Sequence, residues 1–287
     1  MLYLPDYFWT MNQLLANLSN LQQRVIAGAV GVAVILFCID YSVYTFAALF
    51  LVISALAQIE FYRLLGLDGN QPLTYYGTVV GCIISILTFL VEMGLVAEST
   101  YYLISPAASM VFLIKLYKKK DMKPFTNIGF TFLGIIYVGV PFALLNVLAL
   151  RTGTYQPRVV LGCLLLLWAS DVGAYFAGTK FGKRKLFERV SPKKSWEGSI
   201  GGALAAGVVA LGLTFYAPDL RPWQWYCIGA IIVVTGTYGD LVESLFKRSI
   251  AIKDSGTSIP GHGGFLDRFD GLLLAAPFIL TFLKLFA

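Results

Sequence analysis

The chain has 287 residues, of which 57% are hydrophobic and 13% are charged, and its mean hydropathy is +0.73. Soluble domains carry about 25% charged residues, so this composition excludes a disordered chain, argues against a soluble globular enzyme and leaves a polytopic membrane protein. The net charge of +6 is explained by the positive-inside rule of membrane proteins, so no nucleic-acid partner is expected.

The chain begins with a tail and continues in apolar runs. Within residues 11–23, leucines recur at helical spacing among Asn, Gln and Ser, which indicates either an interfacial amphipathic helix or a frayed tail. A helix needs about 20 apolar residues to cross the hydrocarbon core. Nine candidate spans follow from Arg24 onward: 25–39, 43–62, 73–96, 100–117, 124–150, 158–179, 198–217, 223–246 and 269–286.

These spans predict an all-α, polytopic integral membrane bundle of about nine transmembrane helices. We divide it into a tail or interfacial helix (1–23), a transmembrane scaffold (24–157) and a transmembrane catalytic region (158–287). Pro141 lies inside the long fifth span and predicts a kink there.

The basic residues orient these spans. Nine spans place 18 of the 22 Lys and Arg residues on the side of the N-terminus and 4 on the other side. We therefore predict a multi-pass protein of the cell (inner) membrane, with the N-terminus cytoplasmic and the C-terminus extracytoplasmic. Residues 171–270 hold 21 of the 38 charged residues, so the active site is expected there, facing the cytoplasm.

Two of the polar segments lie between residues 170 and 198. Asp171 lies inside an apolar span, where an ionisable side chain usually faces a cavity or a partner, although a polar contact between helices is the alternative. Lys193, Lys194 and Ser195 precede a glycine-rich helix, and this arrangement is suited to binding phosphates. A loop that only anchors the topology is the alternative reading of that basic pair.

The third polar segment, 239–270, is the most informative. Asp240, Glu243, Ser244 and Lys247 share one helix face by their spacing. Asp254, Asp267 and Asp270 follow in the same segment. Converging with Asp240, these acids would bind a hard cation, most plausibly Mg²⁺, and the surrounding Lys and Arg would suit a polyphosphate. The alternative, in which carboxylates only pair with nearby bases, explains one or two acids. The candidate metal ligands are Asp240, Asp254, Asp267 and Asp270.

His262 is the only histidine, which excludes a metal site built on a histidine pair. It is suited to binding a phosphate or ribose or to proton transfer, and a simple turn residue among glycines is the alternative. The pairs Gly77/Gly81 and Gly198/Gly202 permit close helix packing, either within the chain or at a dimer face.

The run from Ser244 to Asp270 resembles the signature of the phosphatidate cytidylyltransferases, also called CDP-diacylglycerol synthases. It reads SLFKR, four residues, KD, five residues, then PGHGGFLDRFD. The segments 171–185 and 191–198 also resemble that family, with Val172 and Ser195 where threonine is usual. Neither departure removes a charge.

This resemblance implies a membrane enzyme, often a homodimer, that depends on Mg²⁺, with room for a second cation in a paired site. It would condense CTP with phosphatidate to CDP-diacylglycerol and pyrophosphate. The leading metal ligands become Asp240 and Asp267, with Asp254 and Asp270 beside them. The residues expected in catalysis are Asp240, Asp267, Lys247 and Arg248. Those expected to bind substrate are Asp171, Lys193, Lys194, Ser195, Ser244, Lys253, His262 and Arg268.

Two rival functions use similar parts. A CTP-dependent lipid-alcohol kinase would transfer the γ-phosphate and release CDP instead of pyrophosphate. A transporter also carries acids within the membrane. Transporters often have repeated halves, whereas the charge of this chain is concentrated in one C-terminal block.

Overall fold

The computed structural model describes residues 20–252 and 263–286, and nearly all of this part of the chain is helical. The helices are α1 (Asn20–Tyr41), α2 (Val43–Leu67), α3 (Thr74–Glu92), α4 (Ile104–Leu116), α5 (Pro124–Gly134), α6 (Val140–Leu150), α7 (Pro157–Phe181), α8 (Trp196–Tyr216), α9 (Pro222–Ser249) and α10 (Leu266–Phe286). A 3₁₀ helix (Glu98–Leu103) precedes α4, and a π-helical segment (Ile135–Gly139) joins α5 to α6. One antiparallel hairpin, β1 (Lys185–Phe187) with β2 (Ser191–Ser195), lies between α7 and α8.

The predicted spans correspond to these helices. Eight of the described helical stretches are long and apolar enough to cross a membrane, and α1 adds a shorter apolar stretch, Val25–Tyr41. The prediction of an all-α membrane bundle is therefore confirmed, and the short hairpin is an addition that the sequence analysis did not predict. Most of the tail 1–23 lies outside the described residues. The boundary at residue 157 stays a prediction, since the main buried cluster includes residues on both sides of it.

The fifth span contains a local change of helix type. The π-helical segment lies directly before Pro141, and the N–H of Val140 bonds to the carbonyl of Ile135 in the five-residue pattern of a π turn. Proline has no N–H to continue the α-helical ladder, which is a physical reason for an irregular turn at this point.

Small residues bring α7 and α8 together. A Cβ on Gly173 would lie 2.5 Å from the Cβ of Ala205 and 2.6 Å from the carbonyl oxygen of Gly201. Helices in a bilayer associate by such close packing, because lipid is as apolar as their side chains. This contact places the part of α7 that carries Asp171 beside Gly201 and Ala205 of α8.

The two glycine pairs from the sequence analysis lie at contacts within the chain. Gly77 faces Tyr62 of α2, and Gly81 faces Gln58. Gly198 and Gly202 face the backbone of α7. Because these contacts occupy the glycines, the pairs give no independent support for a dimer face, and the homodimer stays a prediction.

Aromatic contacts join the N-terminal scaffold to the helices that carry the acids. Phe61 on α2 stacks on Phe246 of α9 with ring centroids 4.9 Å apart. Phe142 on α6 meets Phe269 of α10 at 5.6 Å. Because these rings are buried or nearly so, the scaffold positions α9 and α10 by packing as well as by chain connection.

A buried polar network holds the loop between α4 and α5 in place. Asp121 forms an ion pair with Lys115, and each side chain is 1% exposed. Burial alone would raise the pKa of the Asp121 carboxyl, but the hydrogen bonds that it accepts hold this pKa below its usual value. The donors of these bonds are Lys115, Lys123 and Asn127.

Candidate active site

The site is built where α9 and the start of α10 approach each other. A Cβ on Gly239 would lie 2.5 Å from the carbonyl oxygen of Asp270 and 2.9 Å from the Cα of Gly271. Only glycine permits that approach, because backbone atoms of α10 occupy the space a side chain would need. The close crossing puts the polar face of α9 against the acids that begin α10.

Three carboxylates converge at this crossing. Asp240, Glu243 and Asp270 each offer an oxygen, and these oxygens lie within 4.8 Å of one another. The side chain of Asp240 is 45% exposed, whereas Glu243 is 2% exposed. The cluster therefore reaches from the protein interior to an accessible edge. Asp270 also accepts a hydrogen bond from the N–H of Gly271 at 2.6 Å.

Lys247 links this cluster to Asp267. Its Nζ lies 2.9 Å from Oε2 of Glu243 and 3.0 Å from Oδ1 of Asp267. The other oxygen of Asp267 accepts the N–H of Gly264 at 3.2 Å. One partly buried ammonium thus compensates two carboxylates from different helices, and it fixes the start of α10 relative to α9.

A second lysine approaches from the hairpin. Nζ of Lys194 lies 2.7 Å from Oδ2 of Asp240, and it donates to the carbonyl of Thr237 at 2.9 Å. Ser244, one turn further along α9, donates to the other oxygen of Asp240 at 3.3 Å. Lys194 and Asp240 also act electrostatically on Asp171, so α7 contributes its charge to the same region.

A carboxylate from the N-terminal scaffold caps α10. The oxygens of Glu60 accept the N–H groups of Phe265 at 3.0 Å and of Leu266 at 3.3 Å. These are donors at a helix start, which have no carbonyl partner inside the helix. A Cβ on Gly264 would lie 1.8 Å from the Glu60 carboxylate, so the backbone approaches this acid without a side chain between them. Glu60 itself is 5% exposed.

The other predicted residues lie at different distances from the cluster. Ser195 is 4% exposed and caps α8 by accepting the N–H of Gly198 at 3.1 Å. Arg248 is exposed and donates to the carbonyl of Ile252 at 3.1 Å. Lys193 is exposed on the strand that carries Lys194, and Arg268 is exposed and acts electrostatically on Asp171. The roles predicted for these residues, catalysis for Arg248 and substrate binding for the other three, stay predictions.

Three of the predicted site residues, Lys253, Asp254 and His262, lie outside the described residues. The structure thus brings together Asp171, Lys194, Asp240, Ser244, Lys247, Asp267 and Asp270 from the predicted set.

Two acids of this region are absent from the candidate ligands that the sequence predicts. Glu243 lies on the same face of α9 as Asp240, and this spacing is the signal that could have identified it as a ligand. Glu60 was available as an acid inside an apolar span, which is a functional candidate by default.

Known proteins are similar to this chain over half to nearly all of its length. The profile of the cytidylyltransferase family matches residues 22–286. A protein named phosphatidate cytidylyltransferase from Bacillus subtilis is 30% identical over 271 residues, which cover 93% of this chain and 99% of that relative. The protein of the same name from Haemophilus influenzae is 45% identical over 154 residues, covering 50% of this chain and 53% of that relative. One from Staphylococcus aureus is 35% identical over 175 residues, covering 60% of this chain and 65% of that relative.

Proposed function

The chain belongs to the cytidylyltransferase family, and we propose that it transfers the cytidylyl group of CTP to phosphatidate, which gives CDP-diacylglycerol and pyrophosphate. The observation that carries this proposal is the cluster of Asp240, Glu243 and Asp270, with Lys194 and Lys247 on either side. Carboxylates that hold a cation, with ammonium groups beside them, are suited to phosphoryl and nucleotidyl transfer.

The donor set fits a hard divalent cation. Oxygen ligands of Mg²⁺ lie about 2.0–2.1 Å from the ion, so ligands on opposite sides are about 4 Å apart. The carboxylate oxygens of Asp240, Glu243 and Asp270, within 4.8 Å of one another, need only small side-chain shifts to share one ion. A bound Mg²⁺ would neutralise charge on the triphosphate, and we propose it as the cofactor, with Asp267 and Asp254 as further candidate ligands.

The reaction needs little acid–base chemistry. An oxygen of the phosphatidate phosphate forms a bond to the α-phosphorus of CTP, and the bond from that phosphorus to the oxygen bridging to the β-phosphate breaks. Pyrophosphate leaves with that electron pair. The attacking phosphate is already anionic near neutral pH, so no strong base has to remove a proton.

The lysines stabilise the charge that moves during this step. Lys194 and Lys247 hold ammonium groups on either side of the acid cluster, where they would contact phosphate oxygens of the substrates. Their present carboxylate partners keep them positioned before substrate binds. Ser244, Arg248, Lys253, His262 and Arg268 are further candidates for substrate contacts, as are Asp171, Lys193 and Ser195.

The proposed orientation of the protein in the membrane rests on the side of the bundle where its basic residues lie. The hairpin with Lys193 and Lys194 lies on the side of the basic loops, and Lys194 reaches the acid cluster. We propose that this side is cytoplasmic, with the N-terminus on it and the C-terminus on the other. We propose that CTP reaches the cluster from the cytoplasm and that lipid reaches it from the bilayer.

The test incubates the purified protein with phosphatidate and CTP labelled at the α-phosphate, with and without Mg²⁺. We expect label in the lipid product only with the divalent cation. Asp240→Asn should abolish this product, whereas Asp219→Asn, an exposed acid in the loop between α8 and α9, should not. No labelled lipid from wild-type protein in any lipid and detergent condition would refute the proposed function.

The lipid-alcohol kinase is separated by the position of the label. CTP labelled at the γ-phosphate should yield labelled pyrophosphate and unlabelled lipid. Labelled lipid and free CDP would instead establish the kinase reaction.

A further inference from the structure

Tyr137 lies on an irregular piece of backbone. It is part of the π-helical segment Ile135–Gly139, which precedes Pro141 and contacts both α2 and α10. Its ring packs against Phe61 of α2 with centroids 6.1 Å apart. Single π turns inside α-helices are frequently found at functional sites, because they redirect a side chain that a regular helix would place elsewhere.

The hydroxyl of Tyr137 is fully buried, and it forms no hydrogen bond with any group in the described part of the chain. Buried hydroxyl groups of native proteins are nearly always paired, so each exception calls for a physical reason. A bond to a ligand is such a reason, since the site would then be complete only when the ligand is bound.

The surroundings of the hydroxyl indicate where that ligand lies. Phe61, whose ring packs against Tyr137, also stacks on Phe246 of α9, one turn from Glu243. In agreement with this placement, the three carboxylates of the cluster, Asp240, Glu243 and Asp270, all act electrostatically on Tyr137. All three are hydrogen-bond acceptors, yet none accepts a bond from the tyrosine. The hydroxyl is therefore near the cluster but free to donate to a further acceptor.

We propose that Tyr137 contacts the substrate by donating its hydroxyl proton to a phosphate oxygen of CTP bound at the acid cluster. The proposal rests on the proposed function, because the phosphate is placed there by that assignment. An uncharged donor suits this position: it binds an anionic oxygen without forming the ion pair that a lysine would form with the neighbouring carboxylates.

The test compares Tyr137→Phe with Tyr155→Phe in the full-length protein. The first variant removes only the hydroxyl and keeps the ring on Phe61. The control removes a hydroxyl that donates to the carbonyl of Ile39, away from the cluster. For Tyr137→Phe we expect kcat/KM for CTP to fall by roughly 10- to 100-fold, the range for a hydrogen bond to a charged group. The control should retain wild-type kcat/KM.

Thermal stability separates a substrate contact from a structural role. Since the hydroxyl has no partner among the described residues, Tyr137→Phe should melt at or above the wild-type temperature while losing activity. A lower melting temperature with unchanged kcat/KM would overturn the inference, as would full wild-type activity.

A binding measurement keeps the inference distinguishable from the proposed function. If wild-type protein makes no liponucleotide, the proposed function fails, and CTP binding with Mg²⁺ decides the inference. Weaker binding by Tyr137→Phe than by wild type would support the contact. Equal binding, or none by either protein, would overturn it.

Discussion

Glu60→Gln perturbs the contact between the N-terminal scaffold and the helix that carries Asp267 and Asp270. The glutamate accepts two main-chain N–H groups, those of Phe265 and Leu266, at 3.0 and 3.3 Å. Glutamine keeps one acceptor oxygen, loses the charge, and turns an amide donor toward one of these two N–H groups. Every other atom of the side chain keeps its place.

The expected cost follows from these two bonds. Losing one charge-assisted hydrogen bond in a buried setting costs about 1.5–3 kcal/mol. Removing a negative charge from a helix N-terminus adds about 0.3–1 kcal/mol. We therefore expect a loss of about 2–4 kcal/mol of stability, and a larger fractional loss of kcat than of CTP affinity, because the start of α10 is no longer held in register with α9.

The assay measures thermal unfolding in detergent together with kcat and KM. Glu98→Gln is the matched control, because Glu98 is an exposed glutamate on the 3₁₀ helix. We expect a melting temperature several degrees lower for Glu60→Gln only. A variant with wild-type melting and wild-type kcat would refute the view that Glu60 positions α10.

Three further predictions concern other contacts. Lys247→Gln removes the ammonium that Glu243 and Asp267 share, so it should lower the free energy of unfolding by about 3 kcal/mol and nearly abolish liponucleotide synthesis. Thermal melting and product formation, measured on one preparation, check both effects. A normal value for either would contradict the bridging role of Lys247. Gly239→Ala should lower activity strongly, because its Cβ would lie 2.5 Å from the carbonyl oxygen of Asp270; an active, normally folded variant would mean that the crossing adapts. The lowered pKa of Asp121 means that its ionised form adds stability above about pH 4, the ordinary aspartate value, and that this contribution is lost as pH falls through the folded pKa. Asp121→Asn leaves Lys115 without its carboxylate partner, so it should be less stable at neutral pH and less sensitive to acid. Melting temperatures measured from pH 7 to pH 3 test this sign.

Much of the fold could be predicted because the bilayer imposes a length on each helix. An apolar run of about 20 residues predicts a membrane-spanning helix, and each predicted span corresponds to a described helix. The hairpin between α7 and α8 was missed, since its sequence is short, basic and without the alternation of a strand. The shared face of Asp240, Glu243 and Lys247 was predicted from local spacing. The proximity of Asp240 to Asp270 and the contact of Lys247 with Asp267 depend instead on how α9 and α10 cross.

The amino-acid sequence by itself determined the membrane class, the helix count, the family and the polar segments of the candidate site, because each of these depends on short-range composition and spacing. Only the tertiary structure decided which other side chains lie close to those segments. Glu60 caps a helix 205 residues further along the chain, and the hydroxyl of Tyr137 is placed by a π turn and by packing against another helix. No periodicity of the sequence predicts that such residues lie close together, since their proximity arises where helices cross. Glycines and aromatic rings that are far apart in the chain form those crossings.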